Sequence, residues 1–307
     1  MGLSIRRLGQ SFAAEVRGVD LRQPFEASVI EAVYDAFLEH GVLVLPGQAI
    51  DIDRHLAFAA TFGELWQLPD WNMASRVPNR LIDDVSNVDA EGRQVEENSP
   101  KLLAQLANRL WHSDLSSNPV AAKASMLHAL EIALEDGETE FADPRGGYEA
   151  LPQAMKDRLD GMVGEFSWAH SRMLGGQPGV DVEKLRQLKP PSYHPVVRTH
   201  PETGRKNLFI GANLERIVGL GEEESHALIR ELTEFTTQDR FVYRHRWAVH
   251  DLVIWDNRCT LHRAATYDAK RYRRVMHRAT VLDDGPTTAD GNIIVPEVRK
   301  TGPRLAA

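Results

Sequence analysis

Apolar residues recur along this chain with two different periods, and the change of period divides it. Between residues 27 and 41, Ile30, Val33, Tyr34, Phe37 and Leu38 fall at i, i+3, i+4, i+7 and i+8. That spacing makes one face of an amphipathic helix, and Gly41 stands where such a helix would close. Val42 to Leu45 follows as an unbroken apolar run of strand length, stopped by Pro46-Gly47. A second helix is predicted over 51–62, with Leu56, Phe58, Ala59 and Phe62 and the terminator Gly63. From about Leu65 to Leu110 the periodicity fades, and Asp, Asn, Pro and Glu become frequent. A long loop region with one short strand near Leu81 and Ile82 is expected there. Loops of this length inside a compact domain usually serve a function, so 65–110 reads as an active-site lid, with a partly ordered surface insertion as the equal alternative.

After Trp111 the pattern turns to short strands, predicted at 123–129, 138–142, 163–170, 194–199, 207–211, 240–245, 251–256 and 274–282. Two helices interrupt them, near 152–161 and over 221–236, the latter with Leu228, Ile229, Leu232 and Phe235 on one face. Many short strands separated by turns suggest a sandwich or barrel, with the early helices packed outside it. No internal repeat and no linker divides the chain. Residues 1–307 are therefore expected to form a single, mainly β domain with flanking helices.

Composition narrows the function classes. A net charge of −8 argues against a general nucleic-acid binder, yet it permits a local basic pocket for an anionic small molecule. The lone Cys259 cannot make an internal disulfide. No signal-peptide core and no run of 18 apolar residues is present, so no membrane partner is expected and a cytoplasmic location is.

Three groups of residues carry candidate chemistry. His112 and Asp114 lie two apart, and in a strand or tight turn they aim the same way. An imidazole and a carboxylate make two legs of a 2-His-1-carboxylate triad, which leaves open positions on a ferrous ion. Alone, such a pair is a weak pattern. His262, in Trp-Asp-Asn-Arg-Cys-Thr-Leu-His-Arg at 255–263, is a candidate third leg. His40, His55 and His226 fall in predicted helices, where solvated or partly packed roles are expected. Spacing alone does not exclude the strand histidines. Arg274 and Arg278 would share one strand face, roughly 13 Å apart at ~3.3 Å per residue. Two buried guanidiniums would need anions, and carboxylates pair with them bidentately. A solvated basic strand edge is the plainer alternative.

With His112-x-Asp114, WDNRCTLHR, Arg274 and Arg278 all in place, the chain resembles the TauD/TfdA family of Fe(II)/2-oxoglutarate dioxygenases. VLVLPGQ, LWHSD, GETEFADPRGGYEALP, VVRTHPETGRKNLFIGA and EFTTQDRFVYRHRW carry the likeness over nearly the whole chain. It is nearest the 2,4-dichlorophenoxyacetate dioxygenase branch. The resemblance implies a double-stranded β-helix, a cupin-like jelly-roll. It implies iron on His112, Asp114 and His262, 2-oxoglutarate held by Thr139 and Arg274, and O2 as the oxidant, with ascorbate as a maintaining reductant. It also implies Arg278 near the acidic end of the substrate, Asn108 in the substrate pocket, and a homo-oligomer, dimeric or higher.

One departure bears on the substrate. The herbicide branch has a basic residue in the loop after Phe62-Gly63, whereas Glu64 to Trp71 here contains no Lys, Arg or His. Trp66, Leu68 and Trp71 suit an apolar or aromatic substrate body, although core packing would use them equally well. The implied reaction is hydroxylation beside the ether oxygen of an anionic aromatic molecule. An aryloxyacetate would give a phenol and glyoxylate, with succinate and CO2. Alternatives are the same chemistry on an alkyl sulfonate or sulfate ester, and a non-catalytic, metal-binding cupin-like protein.

Overall fold

The computed structural model describes residues 2–69 and 76–285. The first third holds β1 (Ser4–Arg7), β2 (Ala14–Arg17), α1 (Ala27–His40), β3 (Val42–Leu45), α2 (Ile52–Ala60), β4 (Asp83–Ser86) and α3 (Pro100–Ala104). The middle holds β5 (Ala122–Glu131), β6 (Thr139–Ala142), α4 (Pro144–Ala150), α5 (Gln153–Leu159), β7 (Val163–Phe166), α6 (Trp168–Leu174), α7 (Val182–Leu188), β8 (Ser192–Pro195), β9 (Val197–Thr199) and β10 (Lys206–Leu208). The last third holds β11 (Leu214–Ile217), α8 (Glu222–Thr236), β12 (Val242–His245), β13 (Leu252–Asp256), β14 (Leu261–Ala264) and β15 (Val275–Leu282).

A seven-stranded sheet runs β1-β2-β3-β13-β5-β15-β4, and a three-stranded sheet runs β12-β6-β14. Strand parity explains how they close on each other. In the large sheet Leu43, Ile254, Met126 and Ala279 are aligned on one face, which packs with Ile30, Phe37, Phe58 and Phe62 of the α1/α2 region. The alternate residues Val44, Val253, Leu127 and Met276 pack against Phe141 of the small sheet and Trp247. A third cluster, with Ala142, Leu261, Leu228 and Leu232, lies on the opposite face of the small sheet. The site described below occupies the inner space between the two sheets.

The first helix and the strand after it fall where expected. α1 ends at Gly41, which adopts the left-handed conformation at φ 71° and donates its N–H to Phe37 O. Elsewhere local capping outweighs periodicity. The short strand expected at Leu81 and Ile82 falls instead at Asp83–Ser86. Ser99 caps an unanticipated α3, with Pro100 at its first turn. The strand expected over 163–170 stops at Phe166, because Ser167 accepts from His170 N–H and starts α6. His40 and His55 are buried at 7% and 1% exposure, contrary to the solvated or partly packed role expected of helical histidines. Cys259 lies buried in the turn between β13 and β14.

Candidate active site

His112 and His262 form an isolated antiparallel bridge, each donating its N–H to the other's carbonyl at 3.0 and 2.9 Å. Their rings stand 4.1 Å apart, centroid to centroid. Along β14, His262 points inward while Leu261 joins the outer cluster. Trp255 and Phe141 lie 4.7 and 6.3 Å from the His262 ring and form an aromatic floor. Gly211 permits the strand to sit this close: its φ is +116°, and a Cβ there would meet Trp111 O at 2.8 Å.

Asp114 follows in the turn after His112. Its Oδ1 lies 3.9 Å from His112 Nε2 and its Oδ2 lies 3.6 Å from His262 Nε2. The three side chains offer donor atoms within 4.8 Å of one another. Asn257, in the turn before β14, accepts from Asp114 N–H at 3.0 Å and from Trp255 Nε1 at 3.0 Å. Its amide donates to Ser125 Oγ at 2.9 Å, and that hydroxyl donates to Asp114 Oδ2 at 2.7 Å. Arg278 donates to Asp114 Oδ1 at 2.8 Å and to Asp83 Oδ2 at 2.7 Å.

These contacts set protonation states suited to a divalent metal. Burial by itself would raise the Asp114 carboxyl, but the Arg278 charge, helped by His262, His112 and Ser125, holds it well below the usual carboxylate range. Burial pushes both histidines below their ordinary value, so they are neutral. The Leu110 carbonyl, 2.7 Å from His112 Nδ1, can only accept, which puts the proton on Nδ1 and leaves the Nε2 lone pair free. Two neutral imidazoles and one ionised carboxylate on one side match the facial donor set of a non-haem iron site.

Thr139 lies on β6 and is the aligned partner of Ala264, two residues after His262 on the same face. Its hydroxyl accepts from Trp247 Nε1 at 3.1 Å. Arg274 is 6% exposed, and among the described residues no carboxylate lies within ion-pairing distance of it. Burial lowers its pKa, opposed only by Tyr267. A buried, unpaired guanidinium invites an anion.

A cavity of about 810 Å³ opens onto Asp114 and Arg278, and Trp66, Leu68 and Asn108 are among its lining residues. Trp71 lies outside the described residues. Asp83, Ser125 and Asn257 were not legible as site residues, because each acts through a hydrogen bond from a different strand or turn.

A family model, taurine catabolism dioxygenase TauD, TfdA family, matches residues 4–280. The chain belongs to the TauD/TfdA family. It is similar to the alpha-ketoglutarate-dependent 2,4-dichlorophenoxyacetate dioxygenase of Cupriavidus pinatubonensis, at 41% identity over 89% of this chain and 95% of the relative. A second relative is the (S)-phenoxypropionate/alpha-ketoglutarate-dioxygenase of Sphingobium herbicidovorans, at 33% identity over 93% of this chain and 97% of the relative. Among solved structures, AAD-2 in complex with Mn(II) and N-oxalylglycine superposes with a TM-score of 0.84 at 38% identity, covering 94% of this chain and 99% of that one. Membership of this family makes the protein a 2-oxoglutarate-dependent non-haem iron dioxygenase with a jelly-roll core. No helix among the described residues is long and apolar enough to cross a membrane.

Proposed function

We propose that this enzyme hydroxylates the carbon beside the ether oxygen of an anionic aromatic ether, an aryloxyacetate such as 2,4-dichlorophenoxyacetate being the expected type. One oxygen atom of O2 enters the C–H bond and the other enters succinate, as 2-oxoglutarate loses CO2. The hydroxylated ether carbon then collapses to glyoxylate and a phenol. The observation that carries this reading is the cavity onto Asp114, walled by Trp66, Leu68 and Trp168. The likeness to 2,4-dichlorophenoxyacetate and phenoxypropionate dioxygenases supports it.

In this reading His112, Asp114 and His262 hold Fe(II), while Arg274 and Thr139 fix the distal carboxylate of 2-oxoglutarate. Bound there, ferrous ion and 2-oxoglutarate together supply the oxidising chemistry. Arg278 keeps Asp114 ionised and in place. Trp66 and Leu68 exclude water around the ring of the substrate, and Asn108 offers it an amide. The expected homo-oligomer and the cytoplasmic location belong to the same proposal, and light scattering tests the first.

The direct assay measures succinate and phenol released from phenoxyacetates, phenoxypropionates, taurine and alkyl sulfates in the presence of Fe(II), O2 and ascorbate. Succinate coupled to phenol is the expected result. Turnover of the sulfur compounds alone would move the substrate to the sulfonate or sulfate-ester class.

A further inference from the structure

The cavity onto Asp114 carries positive charge that the reaction described so far does not use. Among the described residues, every carboxylate lining the cavity already has a basic partner. Asp84 is held by Arg76 at 3.1 Å and by Lys101 at 2.8 Å, while Asp83 and Asp114 are both held by Arg278, at 2.7 and 2.8 Å. Arg278 thereby has both terminal nitrogens committed to protein carboxylates.

Two basic residues of the same cavity are left over. Arg172 on α6 and Lys189, just after α7, both line it. Among the described residues neither has a carboxylate within ion-pairing distance. Arg172 lies one helical turn past Trp168, and its Cζ is 5.1 Å from that ring. Lys189 Nζ approaches the same ring at 5.7 Å. Arg172 donates once to the Ala104 carbonyl, and its buried Nε has no partner. Two like charges thus converge on one indole with hydrogen-bond donors to spare, in an apolar-sided cavity. Burial pushes the Lys189 ammonium down to about 8, with Arg172 adding to the effect, and burial also lowers Arg172, to about 10. Both shifts are those of cations lacking an anion.

We propose that Arg172 and Lys189, set around Trp168, form the subsite that takes the acidic group of the primary substrate. The inference rests on the aryloxyacetate reading for the identity of that acid, though not for the existence of the subsite. It also accounts for the loop from Glu64 to Trp71 carrying no basic residue: the charge comes from α6 and the end of α7. Docked there, the acidic group holds beside Trp168 the ether carbon to which it is bonded, and the ring extends along the cavity toward Trp66 and Leu68.

The test is anaerobic calorimetric titration of the full-length, Mn(II)-loaded protein with 2-oxoglutarate present. The ligands are 2,4-dichlorophenoxyacetate, its neutral amide, a medium-chain alkyl sulfate and the matching alcohol. Arg172→Met and Lys189→Met should each weaken anion binding about ten- to a hundredfold, the usual range for a charged hydrogen bond. The neutral ligands and 2-oxoglutarate should bind as before, and Arg172→Lys should recover part of the loss. Wild-type affinity for the anion should fall as pH rises from 7 to 9, because Lys189 loses its proton. Arg172, beside the same Trp168 ring, stays charged, and Asp83 remains paired with Arg278, so Lys189→Met should flatten that profile. Lys189 is partly exposed beyond the end of α7, so its variant remains informative if Arg172→Met fails to fold.

Unchanged anion affinity in both variants would overturn the subsite while leaving the aryloxyacetate reading intact if phenoxyacetates still turn over. Arg172-dependent binding of the sulfate with none of the phenoxyacetate would keep the subsite and remove that reading. Binding of no anion would overturn both.

Discussion

Arg274→Met separates ligand binding from stability in a way that few substitutions can. In the absence of 2-oxoglutarate, Arg274 is a buried cation, 6% exposed, with no carboxylate partner among the described residues. Its surroundings therefore bear a desolvation cost that an anion would relieve, the proposed one being 2-oxoglutarate. Two charge-assisted hydrogen bonds to a distal carboxylate are worth about 1.5–3 kcal/mol each, and less than their sum in concert. A loss of about 3 kcal/mol raises KM for 2-oxoglutarate roughly a hundredfold. The same substitution removes an uncompensated buried charge, so the ligand-free protein should melt higher, by ~2 °C for each kcal/mol gained. Steady-state succinate formation over a range of 2-oxoglutarate checks the first effect, and thermal melting with and without 2-oxoglutarate checks the second. In wild-type protein, saturating 2-oxoglutarate at a hundred times Kd should add about 2.7 kcal/mol, and Arg274→Met should lose that gain. An unchanged KM, or a ligand-free variant melting several degrees lower, would refute the reasoning, because Arg274 would then be serving the fold rather than the co-substrate.

Three further outcomes follow from the geometry. Ser125→Ala removes the hydroxyl that donates to Asp114 Oδ2 at 2.7 Å, and Mn(II) affinity measured against a competing chelator should drop about tenfold; no change would exclude Ser125 from tuning the ligand. Gly211→Ala sets a Cβ 2.8 Å from Trp111 O and 3.1 Å from His112 Cα, so it should lower both the urea midpoint and metal affinity, and an unperturbed metal site would show that the backbone yields there. Burial pushes His55 down to about 3 and His128 and His194 to about 4. Their folded pKa values lie below the unfolded value of about 6.5, so they add no penalty above pH 6.5 and cost stability as pH falls below it. Each contributes up to about 1.4 kcal/mol per pH unit. His55→Met should make the urea midpoint fall less steeply between pH 6.5 and 5, and an identical slope would mean that His55 is not held neutral.

The parts of the fold legible in the sequence were those with a strong local signal. α1 and β3 combine a full period with a stop residue, and both came out within a residue of expectation. The helices α3, α4, α6 and α7 are of five to seven residues, too short for a periodic signal; Ser99, Asp143, Ser167 and Asp181 start them through side-chain caps. β14 carries His262 but has only four residues, with one inward and one outward apolar neighbour, so no alternation announced it. The triad was readable because its three members lie in two distinctive stretches. Arg172 and Lys189 sit on the unforeseen helix α6 and just beyond the unforeseen helix α7, in a stretch without a recurring motif, so nothing along the chain pointed to them.

The distribution of charge ties these readings together. The chain as a whole is acidic, at −8, so the excess of positive charge around the triad is local. In the cavity, Arg278 is neutralised by Asp83 and Asp114, and Lys101 shares Asp84 with Arg76. Among the described residues Arg274, Arg172 and Lys189 have no carboxylate partner, and a divalent metal would add further positive charge. An empty site of this kind is electrostatically strained. On the proposed assignments, a dicarboxylate co-substrate and a singly charged substrate would relieve that strain in two separate places: at Arg274, just before β15, and beside Trp168. Separate relief means that 2-oxoglutarate and substrate need not compete for one guanidinium. It also means that an anionic substrate lacking an apolar body should bind poorly, because the charge at Trp168 is set among apolar walls that a small hydrated anion would leave unfilled.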